Sequence, residues 1–328
     1  MIRREIGDDG ICILTFDRPE SGANIFDAAT MQSLREQLDA IEKDASIKGV
    51  IVTSAKKSIF IAGADLKTLL KQAQSGEMRG FISEGQKVFN RLVALKVPTV
   101  AAIHGACAGG GYEITLACDY RVASDDPATK IGLPETTLGL VPAWGGATRL
   151  PRLIGANAAA EVILKGKLYG AAEALKLGLV DEVVPKEQIL EAARRKLAAG
   201  KRKLEGGAPA TPASQELSPP KKSGNAAPGR AYEIIKRSGE STIEEEIPNQ
   251  VSGRFGRDQR AGRDRSDPKP DSEFLPRGQV SQRLIENSAR ENPARGGDWR
   301  RCHGLGDRAM AERAWRFGYP ARRRFGGD

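Results

Sequence analysis

The spacing of apolar residues along the first 200 positions changes repeatedly between the period of a strand and that of a helix. Residues 2–16 alternate between apolar and polar positions, which is typical of one half-buried strand. Residues 27–44 carry apolar side chains three and four positions apart behind Asp27, a residue type that caps helices. The mainly apolar residues 49–53 predict a second, buried strand. The chain is therefore predicted to begin as strand, helix, strand.

The alternation continues to about residue 199. Helical spacing runs from about Leu66 to Leu95, after a predicted loop over 56–65. Pro98 precedes an apolar strand at 99–103, a position where a missing N–H group is tolerated. The later predicted elements are a helix-rich section over 144–164 and 171–177, a strand over 180–184 and a helix over 188–199. Alternating strands and helices predict an α/β fold with a layered core and parallel strands.

The most informative stretch is residues 97–151. Three consecutive glycines, 109–111, follow the strand at 99–103 and a short turn. Glycine lets the backbone approach a ligand closely, and these residues are predicted to start a helix. Glu113 falls in the first turn of that helix, where the helix dipole favours an anion. A second carboxylate, Glu135, follows Pro134 in a predicted loop. Each part is common alone, but together they place two carboxylates near one glycine turn.

Bulk properties exclude some classes of protein. The 328 residues are 40% apolar and 28% charged, which is ordinary for a globular protein. No stretch approaches the ~18 unbroken apolar residues of a membrane span. The N-terminal residues run directly into strand-like sequence, so we expect no signal peptide. The four cysteines lack metal or disulfide spacing. We expect a cytoplasmic protein with no bound metal and no membrane association.

The net charge of +9 suggests a nucleic-acid-binding protein until its location is considered. Residues 251–328 hold 17 Arg and 1 Lys against 11 acidic residues, a net charge of +7. Residues 1–250 hold 33 basic and 31 acidic residues, a net charge of only +2. The basic character therefore belongs to the C-terminal tail and says little about the rest.

Regular spacing stops beyond residue 200. Residues 201–230 are rich in Gly, Pro, Ser and Lys and predict a linker. Residues 231–247 show brief helical spacing. From 248 to 328 the chain is an Arg- and Gly-rich tail with almost no Lys and no lasting period. Such a tail is either a disordered basic arm or the product of a wrong reading frame in a GC-rich gene.

The stretch 97–151 closely resembles the crotonase superfamily. The resemblance extends over about residues 1–200 and includes the segments Phe60–Asp65 and Gly178–Asp181 in the family's order and spacing. Within the superfamily it is closest to the N-terminal hydratase part of the bacterial fatty-acid oxidation complex alpha subunits. The resemblance implies a spiral of ββα units followed by a helical section. It also implies enoyl-CoA hydratase activity in fatty-acid beta-oxidation.

The reading-frame hypothesis can be tested against the genetic code. Codons permitted by residues 298–316, read one nucleotide later, can give Ile-Gly-Ala-Gly-Val-Met-Gly, which contains a Gly-x-Gly-x-x-Gly dinucleotide-binding turn. This product is similar to the start of the 3-hydroxyacyl-CoA dehydrogenase region that follows the hydratase region in these alpha subunits. We expect a frame shift near residues 247–250. The frame as given contains no such turn, so we expect no NAD site and no cofactor besides the coenzyme A of the substrate.

The family's catalytic pair matches Glu113 and Glu135 position by position. Hydration requires a water to be deprotonated while a proton reaches the neighbouring carbon, and two carboxylates that repel one another can divide these tasks. The resemblance assigns the oxyanion hole to the backbone amides of Ala64 and Gly110. Gly110 lies at a helix start, where unpaired N–H groups favour an anion. The sequence does not say which glutamate is the acid and which is the base.

Four further residues are candidates for substrate binding. Gly63 permits close approach to Ala64, and Asp65 is expected to hold the loop. Lys56, with its neighbour Lys57, is placed to meet coenzyme A phosphates, although a solvated lysine pair explains the sequence equally well. Trp144 begins a segment resembling one beside the family's acyl pocket. His104 follows the central strand and is expected to be structural, since the family uses no histidine for hydration.

Three other functions remain open at this stage. A Δ3,Δ2-enoyl-CoA isomerase needs only one carboxylate, so two glutamates favour hydration without excluding isomerisation. An RNA-binding protein would use the basic tail and its aromatic residues, and an inert fragment would expose apolar surface. The resemblance implies an acyl-CoA substrate and either a homotrimer or, for a full-length protein, a thiolase beta subunit as partner. We do not expect a nucleic-acid partner.

Overall fold

The computed structural model describes residues 1–202, 219–220 and 225–237, which belong to one compact unit. Its strands form a six-stranded sheet in the order β1-β2-β3-β5-β7-β10 and a four-stranded sheet in the order β4-β6-β8-β9. In chain order the elements are β1 (Ile2–Ile6), β2 (Ile11–Phe16), α1 (Ala28–Lys43), β3 (Gly49–Ser54), β4 (Ile59–Ile61), α2 (Leu66–Ser75), α3 (Met78–Ala94), β5 (Thr99–Ile103), β6 (Ala106–Ala108), α4 (Gly110–Leu116), β7 (Tyr120–Ser124), β8 (Lys130–Gly132), α5 (Gly146–Ile154), α6 (Ala156–Lys165), β9 (Tyr169–Gly170), α7 (Ala171–Lys176), β10 (Glu182–Val184), α8 (Ile189–Leu197) and α9 (Ala227–Arg237). Short 3₁₀ helices lie at Glu135–Leu138 and Lys186–Gln188.

The larger sheet confirms the predicted α/β class. β2, β3, β5, β7 and β10 run parallel to one another, and every residue of β3 and β5 is buried. Strands buried on both faces read as continuous apolar runs, which is why these two were visible in the sequence. One face packs against α8, where Leu197 and Ala193 join the cluster formed by Ile51 and Val100. The helices therefore cover the sheet as in layered α/β proteins.

The prediction of one strand over residues 2–16 was wrong. The segment is an antiparallel hairpin in which Ile2 pairs with Phe16 and Ile6 with Cys12. The turn is closed by Gly10, which has a positive φ of 77°. Alternation with period two continues unchanged on both sides of a hairpin, so the period alone could not show the turn. The Gly-Asp-Asp-Gly run at 7–10 was the available signal.

Successive strands step between the two sheets. β3, β5 and β7 lie in the larger sheet, and the strands that follow them, β4, β6 and β8, lie in the smaller one. Helices follow β4 and β6, so the chain repeats a ββα unit, as the family resemblance implied. The prediction of a loop over 56–65 was wrong at residues 59–61, which form β4. A three-residue strand is too short to show a period in the sequence.

The turn between β5 and β6 requires glycine. Gly105 has a φ of 69°, and a Cβ there would lie 2.1 Å from the carbonyl carbon of Ser58.

The predicted cap at Asp27 is confirmed. Its Oδ1 accepts a hydrogen bond from the Thr30 amide at 2.9 Å, and its Oδ2 accepts one from Arg18 at 2.6 Å. α1 then buries the apolar face that the spacing predicted. The cap satisfies one of the N–H groups that a helix start leaves unpaired.

Asp27→Ala should lower the free energy of unfolding by about 1 kcal/mol, because the Thr30 amide loses its acceptor. Urea unfolding followed by circular dichroism measures this loss. Asp8→Ala is the control, since Asp8 is exposed in the β1–β2 turn, and its effect should stay within about 0.5 kcal/mol. Equal midpoints for both variants would contradict the assigned cap.

The C-terminal helix begins inside the predicted linker. α9 starts at Ala227 rather than Ala231 and is described to Arg237. Pro228 and Gly229 favoured the linker interpretation, yet proline is tolerated in the first turn of a helix. α9 buries Ala227, Ala231 and Ile235, and it packs against α5, α6 and the 3₁₀ helix at 135–138. The other predictions for 203–218, 221–224 and 238–328, including the tail and its reading frame, lie outside the described residues.

Candidate active site

The glycine turn at the head of α4 is required by its surroundings. Gly109 has a φ of 56° and donates its amide to the carbonyl of Gly132 at 2.9 Å. A Cβ at Gly111 would lie 2.1 Å from the carbonyl oxygen of Ile61, a backbone atom that has no room to move. α4 therefore starts in direct contact with β4. This contact places Glu113, in the first turn, beside the segment around Ala64.

A cleft of about 640 Å³, which includes its solvent-open mouth, lies along the start of α4. Six of the eight residues singled out in the sequence line it: Gly63, Ala64, Gly110, Glu113, Glu135 and Trp144. The other lining residues are Leu69, Met78, Ile82, Gly109, Pro134, Leu138, Leu140, Val141 and Ala143. The cleft therefore combines two carboxylates with a mainly apolar wall, the usual composition of a small-molecule site.

Glu113 is held by backbone donors. Its side chain is buried, and Oε1 accepts hydrogen bonds from the amides of Trp144 and Gly146, both at 2.8 Å. Burial raises the pKa of Glu113 to about 7, and the two amides and the positive charge of Arg149 limit this rise. A carboxylate with two such donors is stabilised in its ionised form.

Glu135 has a different environment. It begins a 3₁₀ helix rather than lying in the predicted loop. Its Oε2 is inaccessible to water and has no hydrogen-bond partner among the described residues. Burial and the nearby negative charge of Glu113 raise the pKa of Glu135 well above its usual value. Of the two carboxyl groups, Glu135 is the one that keeps its proton more readily.

The two amides expected to form an oxyanion hole are available. A parallel β-bridge joins Ala64 to Phe26, because the Phe26 amide donates to the Gly63 carbonyl and the Asp65 amide donates to the Phe26 carbonyl. The Ala64 amide itself donates to no described residue. Gly110 is the first residue of α4, where helix N–H groups have no intrahelical acceptor. Its amide likewise donates to no residue in the described part of the chain. Both residues line the same cleft as the glutamates.

Two of the residues singled out in the sequence lie away from the cleft lining. The Asp65 carboxylate caps α2 by accepting bonds from the Thr68 amide at 3.0 Å and hydroxyl at 2.8 Å, in line with the expected loop-holding role. The Lys56 ammonium binds the Asp17 carboxylate at 2.8 Å and the Arg18 carbonyl at 2.7 Å. A phosphate would have to compete with these partners, so contact between Lys56 and coenzyme A stays a prediction.

Comparison with known protein families identifies the fold. Residues 7–205 match the family model described as enoyl-CoA hydratase/isomerase. The chain belongs to this family. The matched range contains both glutamates and both candidate oxyanion amides. The described residues contain no cluster of three or more His, Cys, Asp or Glu side chains that could hold a metal ion. Within those same residues, no helix is long and apolar enough to cross a membrane.

Curated relatives within the family are fatty acid oxidation complex alpha subunits. The chain is 46% identical over 202 residues to that of Shewanella sp. (strain MR-4), a match covering 62% of this chain and 28% of the relative. It is 47% identical over 195 residues to that of Shewanella baltica (strain OS185), covering 60% and 28%. The matched region thus spans less than a third of the length of these relatives.

Solved structures of the family include both reaction types in their titles. An enoyl-CoA hydratase from Bacillus anthracis is 30% identical, with a TM-score of 0.57, and covers 76% of this chain and 89% of its own. A human mitochondrial delta3-delta2-enoyl-CoA isomerase is 26% identical, with a TM-score of 0.61, and covers 90% and 99%. The fold is therefore shared by enzymes with different reactions, and the choice between them depends on the cleft.

Sequence reasoning missed the apolar wall and the arginine behind Glu113. Leu69, Met78 and Ile82 come from α2 and the start of α3, where helical spacing was visible but the face turned to the cleft was not. Arg149 is buried in α5, and basic residues are usually exposed, so nothing in the sequence distinguished it. His104 has the hydrogen bond expected of a structural residue, since its Nε2 lies 2.8 Å from the Lys56 carbonyl oxygen.

Proposed function

We propose that this protein is an enoyl-CoA hydratase that adds water across the 2,3 double bond of enoyl-CoA thioesters in fatty-acid beta-oxidation. The observation that carries the proposal is the presence of Glu113 and Glu135 in one cleft beside the amides of Ala64 and Gly110, neither of which donates to a described residue. A single carboxylate suffices to move a proton in isomerisation. Two carboxylates in different protonation states suit the addition of water, in which one group takes a proton and the other gives one.

The surroundings of the two glutamates suggest their roles. Glu113, with two amide donors, would carry the negative charge and take a proton from water as its oxygen bonds to C3 of the substrate. Glu135, whose Oε2 has no hydrogen-bond partner among the described residues, would hold a proton and deliver it to C2. One proton leaves the water and another enters the product, so the enzyme returns to its starting state once a proton passes from Glu113 to Glu135.

The Ala64 and Gly110 amides would bind the thioester oxygen. Negative charge develops on this oxygen as the hydroxyl group adds to C3, and fixed N–H donors stabilise that charge without having to reorganise. The dipole of α4 adds to the effect at Gly110, its first residue. Removing one such donor typically costs ~3–4 kcal/mol of transition-state stabilisation. The binding of enoyl-CoA would thus orient C2 and C3 between the two carboxyl groups.

This assignment predicts an unusual pH dependence. kcat/KM for crotonyl-CoA should rise as Glu113 ionises, around its pKa of about 7, and fall at higher pH when Glu135 loses its proton. The sign follows from the roles, since the base must be ionised and the acid must be protonated. Loss of enoyl-thioester ultraviolet absorbance, followed across the neutral and alkaline range, measures the profile. An acid limb near the ordinary glutamate value of about 4.3 would contradict the buried pair.

The experiment that tests the function is hydration of crotonyl-CoA by the purified full chain. Matched incubation with a 3-enoyl-CoA, which isomerisation would convert to the 2-enoyl isomer, separates the rival reaction suggested by the human isomerase. Faster hydration than isomerisation supports the proposal. The opposite ratio would assign the cleft to an isomerase, and activity toward neither substrate in folded protein would refute both.

Other parts of the proposal extend beyond the described residues. We propose a cytoplasmic enzyme that uses no cofactor, and assembly as a homotrimer or, for a full-length protein, with a thiolase beta subunit, as the family resemblance implies. The curated relatives are named as alpha subunits of a fatty acid oxidation complex. The tail is proposed to be an out-of-frame remnant of a dehydrogenase region. Its nucleotide sequence tests this, since codons that forbid the alternate reading of residues 298–316 would exclude it. Salt-dependent RNA binding lost on removing residues 250–328 would instead support the basic-arm interpretation.

A further inference from the structure

Arg149 is a buried cation without an ion pair in the described part of the chain. It lies in α5 and is 1% exposed. One terminal nitrogen donates to the Trp144 carbonyl oxygen at 2.8 Å, and the other donates to Oδ1 of Asn90 at 2.5 Å. Burying a guanidinium without a carboxylate partner is costly. A residue kept in this setting is therefore a candidate for a role other than stability.

Its partners connect Arg149 to Glu113. The segment Trp144–Gly146 donates two amides to Oε1 of Glu113 on one side, while its Trp144 carbonyl accepts a hydrogen bond from Arg149 on the other. Gly145, between them, has a φ of 108°, and a Cβ there would lie 1.8 Å from a terminal nitrogen of Arg149. The guanidinium is packed directly against the backbone of this segment. The segment is thus fixed between the carboxylate and the cation.

We infer that Arg149 is a positioning residue for the reaction proposed above, because it holds the Trp144 and Gly146 amides on Glu113 and supplies the buried positive charge that faces this carboxylate. The inference rests on the proposed function of Glu113. It assigns two separable contributions to one side chain: its hydrogen bonds fix the segment, and its charge favours the ionised form of Glu113. Asn90, from α3, fixes the guanidinium in turn.

The charges around Glu113 are consistent with this role. Glu135, from the 3₁₀ helix, opposes ionisation of the pair, whereas Arg149, from α5, favours it. Burial lowers the pKa of Arg149 to about 10, with the charge of Glu113 opposing this fall and the charge of Arg152, one turn further along α5, adding to it. Arg152 has other partners of its own. Among the described residues, Arg149 is thus the cation that acts directly on the pKa of Glu113.

Three variants separate the two contributions. Arg149→Met removes both the charge and the hydrogen bonds. Arg149→Lys keeps the positive charge but lacks the planar guanidinium, whose two terminal nitrogens bind the Trp144 carbonyl and Asn90. Asn90→Asp keeps Arg149 in place but compensates its charge with a carboxylate. Arg121→Lys is the matched control, because Arg121 is equally buried but is paired with Asp181 at 2.9 Å.

kcat and KM for crotonyl-CoA are measured for each variant across pH. Arg149→Met and Arg149→Lys should lower kcat by ~10–10²-fold with KM changed less than about twofold, as expected for a misplaced catalytic group. Arg149→Met and Asn90→Asp should move the acid limb upward by about one pH unit, since the carboxylate loses a compensating positive charge. Arg121→Lys should keep the wild-type acid limb.

The inference is overturned if folded Asn90→Asp and Arg149→Lys both keep the wild-type kcat and acid limb. Should Arg149→Met fail to fold, these two variants still decide. Difference infrared spectroscopy gives a readout that does not depend on turnover. The carboxylic C=O band of Glu113 is identified as the band that is missing in Glu113→Gln, and it disappears as Glu113 ionises. The pH of this disappearance should be higher in Asn90→Asp than in the wild type. If the wild type does not hydrate crotonyl-CoA but the infrared band shifts in Asn90→Asp, only the hydratase assignment is refuted. If the wild type is active and the band does not shift, only the role of Arg149 is refuted.

Discussion

Replacing Glu113 by glutamine should lower the turnover of crotonyl-CoA by at least ~10²-fold. Glutamine has nearly the shape of glutamate and its carbonyl oxygen can still accept the amides of Trp144 and Gly146. It cannot accept a proton from water at neutral pH. The loss should therefore appear in kcat, with KM and the unfolding midpoint close to wild type.

Glu135→Gln should cause a loss of similar size for the opposite reason, because the amide cannot deliver a proton to C2. Glu173→Gln provides the control, since the Glu173 carboxylate is on the surface and pairs with Lys167 at 2.8 Å. The measurement is kcat from the loss of enoyl-thioester absorbance at neutral pH. Near-normal turnover in both active-site variants would refute the catalytic assignment, whatever the fold.

Gly110→Ala should also lower kcat/KM by at least ~10²-fold, comparable to losing one oxyanion donor. A Cβ at this position would lie 2.5 Å from Cζ3 of Trp144. The indole has little room to retreat, because its ring centroid lies about 5.5 Å from those of Phe26, Phe81 and Phe89. Either the start of α4 moves, taking the Gly110 amide with it, or Trp144 moves and takes its hydrogen bond to Glu113 away.

Gly80→Ala is the matched control for this substitution. Gly80 is an exposed residue in α3, and a Cβ there meets no atom within 4 Å. Alanine should preserve kcat/KM and add about 0.5–1 kcal/mol to the free energy of unfolding through its helix propensity. Wild-type kcat/KM in Gly110→Ala would show that the amide of Gly110 is not a critical donor.

The sequence predicted those parts of the fold that leave a local signal. β3 and β5 are mostly apolar runs, and α1 has both a cap and an apolar face. Residues whose chemistry is shared across the family were also found, and the structure gathers both glutamates in one cleft. The family resemblance, rather than the period of the sequence, brought together Glu113 and Glu135, because nothing local relates two side chains 22 positions apart.

The remaining features depend on contacts between distant segments. The three-residue strand β4 exists because β6 pairs with it, and the sequence of either strand alone does not show this. Arg149 is distinguished only by its burial against the Trp144 carbonyl and Asn90. The start of α9 was concealed by Pro228, a residue that marks linkers and helix starts alike.

The docking of α9 behind the site has a consequence for biosynthesis. Asn225, just before this helix, donates its side-chain amide to the Thr136 carbonyl oxygen at 2.8 Å, next to Glu135. Arg237, the last described residue of α9, lies 102 positions after Glu135, so at about 5–20 residues per second a ribosome needs roughly 5–20 s to make the intervening chain. During that interval both glutamates have been made, but the Thr136 carbonyl lacks its Asn225 donor, and the faces of α5 and α6 that α9 will cover are not yet covered by it. Among the described residues, those of α9 that pack behind the 3₁₀ helix of Glu135 are therefore the last to emerge.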